Sequence, residues 1–359
     1  MLEIANKFSL EGNLVSVKNY ANGLVNKTFL VETTKRKYIL QRINSYVFKN
    51  PLKVMNNIEL ITTQLCKRRI PSLQIIYTKD EKNVYYDKSD SSYYRMYNFL
   101  DTMENMTERS NYVNLEVGKA IGEFQSILSK CDTSNLVETI KDFHNTPLRL
   151  KHLERSFISL DNSNKRKQKS SPLYYYIIKE KEKISQIQQK IDKGKIPLRI
   201  AHNDTKLSNI MFDKMTKKAC ALVDLDTVMP GTVLFDYGDA VRTSASTVAE
   251  TSTDLGLIDI DEKKFCSLTI GYLSKMYNVL SDEELDSLYN AVETIILECS
   301  MRFLTDYLEN DNYFKIDYPE QNYDRALNQL TLYGKCLMKE EKLKKMTKVI
   351  LNRFLENAK

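Results

Sequence analysis

Histidines and paired cysteines are scarce in this chain of 359 residues. The histidines are His144, His152 and His202, which leaves little material for a metal site built on imidazole ligands. The six cysteines are widely spaced and form no CxxC motif. Since their spacing suggests no disulfide framework, we expect reduced thiols, as is usual in cytosolic proteins.

Long apolar runs are missing as well. No stretch approaches the roughly 18 apolar residues of a membrane-spanning helix, and the N-terminal residues MLEIANKFSLEG contain no apolar segment of signal-peptide length. The net charge of +6 comes from basic residues interspersed with acidic ones. A nucleic-acid surface would more often show a basic stripe with interleaved aromatics, which we do not find. We therefore expect a soluble, cytoplasmic protein without a membrane or nucleic-acid partner, and the oligomeric state stays open.

The sequence does contain a change of pattern near residue 100. Stretches rich in β-branched and aromatic residues predict strands at 13–20, 27–33, 36–43, 82–88 and 91–100. The Asn22-Gly23 pair predicts a tight turn after the first strand. Apolar residues at helical spacing predict a helix over 54–65.

The remainder of the chain is mostly helical in pattern. Helices are predicted at 113–131, 173–195, 261–279, 282–309, 321–337 and 338–356. The polar stretch 161–171, which includes a basic cluster at 164–169, is typical of a solvated loop. A chain of this length is expected to form two lobes. We predict an α+β fold with a small β-rich N-terminal lobe over 1–100 and a large, mainly helical C-terminal lobe over 101–359.

A polar loop interrupts the helical part, where residues 201–213 are AHNDTKLSNIMFD. Taken alone, the stretch is typical of a turn in which Asn and Asp bond to their own backbone. Its spacing also suits phosphoryl transfer, because in kinases an Asn follows the catalytic Asp by five residues and a second Asp comes after a hairpin. Asp204, Asn209 and Asp224 have this spacing, and a hairpin between the last two can bring its ends together.

The stretches HNDTKLSNIMFD and LVDLDTVMPGTVLFDYGDAVR resemble the aminoglycoside phosphotransferase and choline kinase superfamily, whose catalytic loop contains H-x-D. A closer resemblance is to the N-acetylhexosamine 1-kinases. It depends on YANGLVNKTFLV, YILQRIN, VFKNP, DFHNTPLR, DLDTVMPG and MRFLTDYLENDNYFKI, which lie between positions 20 and 316. The resemblance implies a protein-kinase-like two-lobe fold, ATP and Mg²⁺ as cofactors, and a small-molecule acceptor, in the first place an amino sugar.

Residue by residue, the resemblance implies roles for the acidic groups. Asp204 would be the catalytic base, and Asn209 and Asp224 would be the magnesium ligands. Asp226 would support the metal or the loop, although an ordinary structural role is equally open. The residues that would hold the catalytic loop by hydrogen bonds are His202 and Asp236.

The nucleotide side departs from the kinase pattern, in which a Gly-rich loop covers the phosphates and a strand lysine reaches them. The candidate phosphate contacts in the loop are Asn22, Gly23, Asn26 and Thr28. Gln41 and Arg42 stand at the strand position, and adjacent residues of a strand point to opposite faces. The cation that contacts the phosphates is therefore left open.

Two further nucleotide contacts are predicted from their positions. Glu59, midway along the 54–65 helix, is the candidate partner of a phosphate-binding cation, and an ordinary exposed Glu is an equal alternative. Backbone groups from Met96 to Asn98 stand at the linker position, where they could bond to adenine.

The acceptor site implied by the resemblance contains His144, Arg302 and Tyr313. Sugar recognition uses planar polar donors and an aromatic face, and these residues supply both. An ordinary alternative exists for each, because Arg302 and Asp306 are spaced as a routine helical ion pair and Tyr313 is one of 22 tyrosines.

The predicted reaction is ATP-dependent phosphorylation of the anomeric hydroxyl of N-acetylglucosamine or N-acetylgalactosamine. A kinase of another small acceptor, such as an amino alcohol, homoserine or an aminoglycoside, is an alternative. Cationic acceptors need an acidic or aromatic pocket, and residues 300–316 include Asp306, Glu309 and Asp311. The uncharged Gln41 also leaves open a nucleotide-binding pseudokinase that acts through partners.

Overall fold

The computed structural model describes residues 1–21 and 25–357, and its contacts divide the chain into two compact units. The first unit consists of Met1–Glu104, Asp132–Lys141 and Met211–Pro230, and the second of Asn105–Cys131, Asp142–Ile210 and Gly231–Lys359. A small antiparallel sheet characterises the first unit and helices dominate the second, so the predicted α+β class is confirmed. The predicted turn at Asn22-Gly23 lies outside the described residues.

The strands, in chain order, are β1 (Leu14–Ala21), β2 (Lys27–Thr33), β3 (Lys37–Arg42), β4 (Tyr85–Asp87), β5 (Ser92–Asn98), β6 (Met103–Asn105), β7 (Arg199–Ala201), β8 (Ile210–Asp213), β9 (Ala219–Leu222) and β10 (Met229–Gly231). The α-helices are α1 (Leu2–Ala5), α2 (Pro51–Lys67), α3 (Asn111–Leu128), α4 (Thr146–Ser159), α5 (Lys165–Lys179), α6 (Lys181–Asp192), α7 (Val233–Ala240), α8 (Glu262–Met276), α9 (Asp282–Leu308), α10 (Gln321–Met338) and α11 (Glu340–Asn357). Short 3₁₀ turns cover Leu207–Asn209, Leu225–Thr227 and Leu255–Leu257.

The sheet of the first unit has the order β1-β2-β3-β5-β4, and its neighbouring strands are antiparallel. Alternation along the strands directs Leu40 and Met96 into the apolar core, which also contains α1. The register pairs Thr28 with Gln41 and Gln41 with Arg95. Because paired residues of adjacent strands face the same side, these three side chains form one row on the face opposite to Leu40 and Met96.

Asn57 on α2 holds two later segments of the chain in the first unit. Its side chain is buried, and Nδ2 donates to the carbonyl oxygens of Val137 (2.8 Å) and Val228 (2.9 Å). Its oxygen accepts a hydrogen bond from the backbone nitrogen of Val137 (3.1 Å). One buried amide thus satisfies backbone groups of two segments that lie far away in sequence, which explains why 132–141 and 211–230 belong to this unit.

Helix α9 is the central helix of the second unit, where α4, α7 and α10 pack against it. It begins with a capping box between Ser281 and Glu284. Helices α3 and α8 approach each other closely, because a Cβ atom on Gly118 would lie 2.1 Å from the carbonyl oxygen of Leu268. In the part of the chain that the structure describes, no helix is long and apolar enough to cross a membrane.

The structure corrects two local predictions in the second unit. The helix predicted over 173–195 is two helices, α5 and α6, which meet at Glu180, whose carboxylate accepts a hydrogen bond from the hydroxyl of Tyr333 (2.6 Å). The basic cluster at 164–169 forms the start of α5 instead of a loop. Asn164 caps this helix by accepting from the backbone nitrogen of Lys167 (3.1 Å), a signal that the predicted loop overlooked.

Candidate active site

The predicted catalytic loop lies in the second unit, where it begins directly after β7 and is held by Asp236 on α7. The carboxylate of Asp236 accepts from the backbone nitrogens of His202 (2.8 Å) and Asn203 (2.7 Å), and from Nε2 of Gln125 (2.9 Å). Its carbonyl oxygen accepts from the hydroxyl of Thr205 (2.5 Å). Burial raises the pKa of Asp236, and these donors offset part of that rise. Hydrogen bonds to Asp236 therefore hold the loop both before Asn203, at His202, and after it, at Thr205. Asn203 itself has a left-handed backbone (φ 64°).

His202 is buried against the same loop. Its ring lies edge-on to Phe124, with 5.8 Å between ring centres, and its Nδ1 accepts from the backbone nitrogen of Asp204 (3.3 Å). This contact agrees with the bracing role predicted from the sequence, which stays a prediction for function.

Asp204 carries a hydrogen-bonded carboxylate with 27% of its side chain exposed. Its Oδ2 accepts from Nζ of Lys206 (2.7 Å) and from Nδ2 of Asn209 (2.8 Å). Burial raises the pKa of Asp204, but the charge of Lys206 and the hydrogen bond from Asn209 outweigh it, so the pKa lies below its ordinary value. The carboxylate is thus ionised at neutral pH and can accept a hydrogen bond from an acceptor hydroxyl.

The side-chain oxygen of Asn209 receives no hydrogen bond from the residues that the structure describes. Both side-chain hydrogen bonds of Asn209 use Nδ2, which donates to the carbonyl oxygen (2.9 Å) and to Oδ2 of Asp204. Its Oδ1 is therefore available to a hard cation. Among the described residues there is no group of three or more His, Cys, Asp or Glu side chains arranged to hold a metal. Mg²⁺ fits such a sparse set, since it keeps several waters and binds through one or two protein oxygens plus substrate phosphates.

The acidic turn of the first unit contains Asp224 and Asp226. Asp224 has a left-handed backbone (φ 63°, ψ 55°) at the start of the 3₁₀ turn Leu225–Thr227. Strained backbone of this kind is concentrated at functional sites. The carboxylate of Asp226 is buried, where it pairs with the guanidinium of Arg95 and accepts from Nδ2 of Asn26 (2.6 Å). Asp226 is therefore tied to the sheet, in agreement with a supporting role for this turn.

Gln41, at the strand-lysine position, bonds to its neighbours in the row across the sheet. Its Nε2 donates to the hydroxyl of Thr28 (3.1 Å), and its Oε1 accepts from Nε (3.0 Å) and Nη2 (2.8 Å) of Arg95. Arg42 lies on the other face, where Nε donates to the hydroxyl of Ser92 (2.8 Å). The strands pair here without a bulge, so the backbone does not turn Arg42 toward the side of Gln41. The predicted contacts Asn22 and Gly23 lie outside the described residues.

The other residues predicted to contact the nucleotide, Glu59, Met96 and Asn98, form hydrogen bonds with other residues of the chain. The carboxylate of Glu59 accepts from the hydroxyl of Tyr77 (2.5 Å) and from Nδ2 of Asn83 (2.7 Å), so it does not pair with a cation of the sheet. The hydrogen bond to Glu59 raises the pKa of Tyr77 to about 12. The carbonyl of Met96 accepts from the backbone nitrogen of Ile76 (2.9 Å), and the backbone nitrogen of Asn98 donates to Gln74 (3.0 Å). A carbonyl oxygen can accept a second hydrogen bond, so the adenine contact from Met96 to Asn98 stays a prediction.

His144 connects Glu298 to the catalytic loop within the second unit. Its Nε2 lies 3.1 Å from the carbonyl oxygen of Asn203, and its Nδ1 lies 2.7 Å from Oε1 of Glu298. Burial raises the pKa of Glu298, but the neighbouring His144 and nearby arginines together lower this pKa by more than burial raises it. The pKa of Glu298 therefore lies below its ordinary value. Both ring nitrogens face oxygen atoms of the chain, and the predicted contact of His144 with a sugar stays a prediction. No described residue donates to the second oxygen of Glu298, Oε2, which is buried.

Arg302 lies one helical turn after Glu298, among aromatic rings. Its guanidinium is 4.7 Å from the ring centre of Phe143, 5.6 Å from that of Phe314 and 5.9 Å from that of Tyr313. Burial lowers the pKa of Arg302, but Tyr313 and Glu298 raise it above its ordinary value. The predicted surface ion pair with Asp306 does not form, because that carboxylate accepts instead from backbone nitrogens of residues 313 and 314.

Three residues of this arrangement were missed in the sequence. Lys206 lies in the sequence between Asp204, the predicted base, and Asn209, the predicted metal ligand. A positive charge inside that loop could have indicated Lys206 as a site residue. Arg95 is the charged residue within the otherwise apolar and aromatic strand SYYRMYN, and Glu298 is the acid within the apolar run IILECSM. A charged side chain in a stretch that is otherwise buried needs a partner, which is the physical reason to look for one.

Solved structures that resemble this chain include several small-molecule kinases. A microcompartment-associated aminopropanol kinase superposes with a TM-score of 0.66 at 14% identity over 96% of this chain and 97% of that chain. An amicoumacin kinase in complex with AMP-PNP and Ca²⁺ gives 0.64 at 12% identity, over 93% and 92%. A choline kinase from Cryptosporidium parvum gives 0.59 at 16%, over 92% of each chain. At these identities the likeness shows the fold alone, and the fold is kinase-like.

The sequence itself identifies the family. The profile of the phosphotransferase enzyme family matches residues 16–261, well over half of the chain. The chain therefore belongs to the phosphotransferase enzyme family. The superfamily predicted from the H-x-D loop is confirmed, and the N-acetylhexosamine branch stays a prediction.

Proposed function

We propose that this protein is an ATP-dependent kinase that phosphorylates the anomeric hydroxyl of N-acetylhexosamines to give the sugar 1-phosphate. The observation that carries the choice of acceptor is the guanidinium of Arg302, which lies among the rings of Phe143, Tyr313 and Phe314 next to the buried carboxylate of Glu298. The catalytic loop and the family membership support the phosphoryl-transfer part of the proposal.

Each group of the catalytic loop has a distinct task in the proposed reaction. Asp204 orients the acceptor hydroxyl and takes its proton as the oxygen bonds to the γ-phosphorus and the bond to ADP breaks. Lys206, which lies 2.7 Å from Asp204, is a cation for the transferred phosphoryl group. Such a reaction is accelerated mainly by positioning and by neutralising charge, and not by covalent chemistry.

ATP and Mg²⁺ are the proposed cofactors. Oδ1 of Asn209 and the carboxylate of Asp224 would hold the metal, which neutralises phosphate charge when it is bound. The amicoumacin kinase with the same fold was solved with AMP-PNP and Ca²⁺, which supports a nucleotide and a divalent cation in proteins of this fold.

The acceptor region favours a neutral, hydroxyl-rich molecule over a cation. An ammonium group would need the faces of aromatic rings, and Arg302 already lies against these rings. The acids that kept a cationic acceptor open are bonded to the chain itself, Glu309 to His152 and Ser156, and Asp311 to Arg166 and Asn322. A sugar hydroxyl or amide N–H can instead donate to Oε2 of Glu298, whose burial without a partner is otherwise unfavourable.

A test of this function is ATP consumption with magnesium in the presence of N-acetylglucosamine, N-acetylgalactosamine, choline, ethanolamine or kanamycin. We expect kcat/KM for the N-acetylated sugars to exceed that for the cations by at least about 100-fold, because Arg302 would repel a cation and the carboxylate of Glu298 already pairs with His144. Phosphorus NMR should identify a sugar 1-phosphate. Turnover of choline or kanamycin in preference to the sugars would contradict the proposed acceptor, and ATP binding without turnover of any acceptor would favour the pseudokinase.

Arg302→Ala should raise the KM for the sugar by about 10- to 100-fold, which corresponds to the loss of one hydrogen bond from a charged donor. The KM for ATP should stay within about twofold of its wild-type value, since the substitution leaves the nucleotide groups in place. The matched control is Arg155→Ala, which removes an exposed arginine of α4. Equal changes in both KM values would count against Arg302 as an acceptor contact.

A further inference from the structure

The carboxylate of Asp226 is bound in the way that proteins bind phosphate. It receives Nη1 and Nη2 of Arg95 as a fork and Nδ2 of Asn26 (2.6 Å) as a third donor. The side chains of Arg95 and Asp226 are only 1% and 3% exposed. A forked guanidinium and a neutral amide are the donors that commonly recognise phosphate as well as carboxylate.

Arg95 has no N–H group to spare while Asp226 is bound. Nε and Nη2 donate to Gln41, Nη1 and Nη2 donate to Asp226, and Nη1 also faces Sδ of Met55 (3.9 Å). Burial lowers the pKa of Arg95, but Asp226 raises it more, so the guanidinium keeps its charge. The positive charge is therefore present in the sheet, and the chain's own carboxylate neutralises it.

The position of Arg95 explains why Gln41 carries no charge. The two residues are paired across β3 and β5, so their side chains leave the sheet on the same face. A guanidinium is longer than an ammonium, and from the neighbouring strand it reaches the space that a lysine at position 41 would serve. Gln41 then orients the guanidinium through two hydrogen bonds to its Oε1 (2.8 and 3.0 Å).

We propose that Arg95 and Asn26 form the binding site for the ATP phosphates, and that Asp226 closes this site in the nucleotide-free protein. The inference rests on the proposed kinase function and supplies the cation that the strand position lacks. When ATP binds, its phosphates would take the place of Asp226 on Arg95, and the divalent cation that accompanies ATP would supply positive charge for the displaced carboxylate. The donors of the site are then satisfied in both states, by a carboxylate or by phosphate.

The distinguishing test is ATP binding without a metal, measured by isothermal titration calorimetry in EDTA. Asp226→Asn removes the competing charge, so it should bind metal-free ATP at least about tenfold more tightly than the wild type does. The double variant Arg95→Gln/Asp226→Asn should lose this gain, and the affinity for adenosine should be the same in all three proteins. A residue with a merely structural role would not improve binding when it is removed. Unchanged or weaker binding of metal-free ATP by Asp226→Asn would overturn the proposal.

Gln41→Arg is a second variant in case Asp226→Asn does not fold, because it adds a cation to the same row and keeps both Arg95 and Asp226, although it removes the two hydrogen bonds that Oε1 of Gln41 accepts from Arg95. Asp226 cannot neutralise both guanidinium groups, so binding of metal-free ATP should again tighten by about tenfold. No gain in Gln41→Arg would overturn the proposal equally. Arg36→Gln, at an exposed residue that pairs with Glu11, controls for net charge.

The wild-type protein separates the inference from the function on which it rests. If it binds ATP with magnesium and the variants behave otherwise than described, the closed phosphate site is wrong and the kinase proposal stands. If it binds no ATP with magnesium, the proposed function itself fails.

Discussion

Asp204→Asn should lower kcat by about 10²- to 10⁴-fold, the usual contribution of a positioned general base. The amide has the size of the carboxylate and can still accept a hydrogen bond from Nδ2 of Asn209 through its oxygen. It has no charge for Lys206 and no capacity to take the proton of the acceptor hydroxyl. Steady-state kinetics with ATP and N-acetylglucosamine measure the loss, and calorimetry should show ATP affinity within about threefold of the wild type.

The control for Asp204→Asn is Asp286→Asn, the same chemical change at an exposed residue of α9. It should leave kcat unchanged. If Asp204→Asn retained more than about a tenth of the wild-type kcat, the assignment of the base would be lost, since a substituted base should cost at least about 10²-fold. Loss of ATP binding together with kcat would instead indicate that the variant disturbs the loop as a whole.

The fold class and the hydrogen bonds within the predicted catalytic loop could be predicted because their signals are local in the sequence. Alternating residues gave the strands of the sheet, and α2 begins at Pro51 after the cap Asn50, a pattern visible over a few residues. The spacing of Asp204 and Asn209 is also local, and in the structure it appears as a direct hydrogen bond of 2.8 Å. Such features depend on neighbours within one loop or one turn.

The cation that we propose for the nucleotide site, Arg95, could not be predicted, because its position depends on contacts between residues far apart in the sequence. Arg95 meets Asp226 131 residues later in the sequence. The strand register decides whether an arginine of β5 lies beside Gln41 of β3. A register shift of one residue would move the side chain of that arginine to the other face of the sheet. From the sequence, the uncharged Gln41 suggested that the sheet lacks a cation at this place. In the structure the guanidinium of Arg95 lies beside Gln41, on the adjacent strand.

The acceptor region shows a similar limit for aromatic and acidic residues. The resemblance indicated Arg302, but its surroundings come from three segments, with Phe143 before α4 and Phe314 after α9. Composition suggested that the acids of 300–316 were available to a cation. In the structure Asp306 accepts from two backbone nitrogens and from Asn322 (2.8 Å), which makes it a structural residue of the turn after α9.

Asp236→Ala should reduce the free energy of unfolding by about 3–5 kcal/mol, because it leaves three buried donors without an acceptor at once. These are the backbone nitrogens of His202 and Asn203 and the side chain of Gln125. Urea denaturation measures the loss, and Asp236→Asn, which keeps one acceptor oxygen, should lose less. At a temperature where the variants are folded, kcat should fall more than the affinity for ATP does, because the released backbone carries Asp204. A fully stable Asp236→Ala protein with wild-type kcat would show that the loop is held by other contacts, and Asp204 would then owe its position to His202 and Asn209.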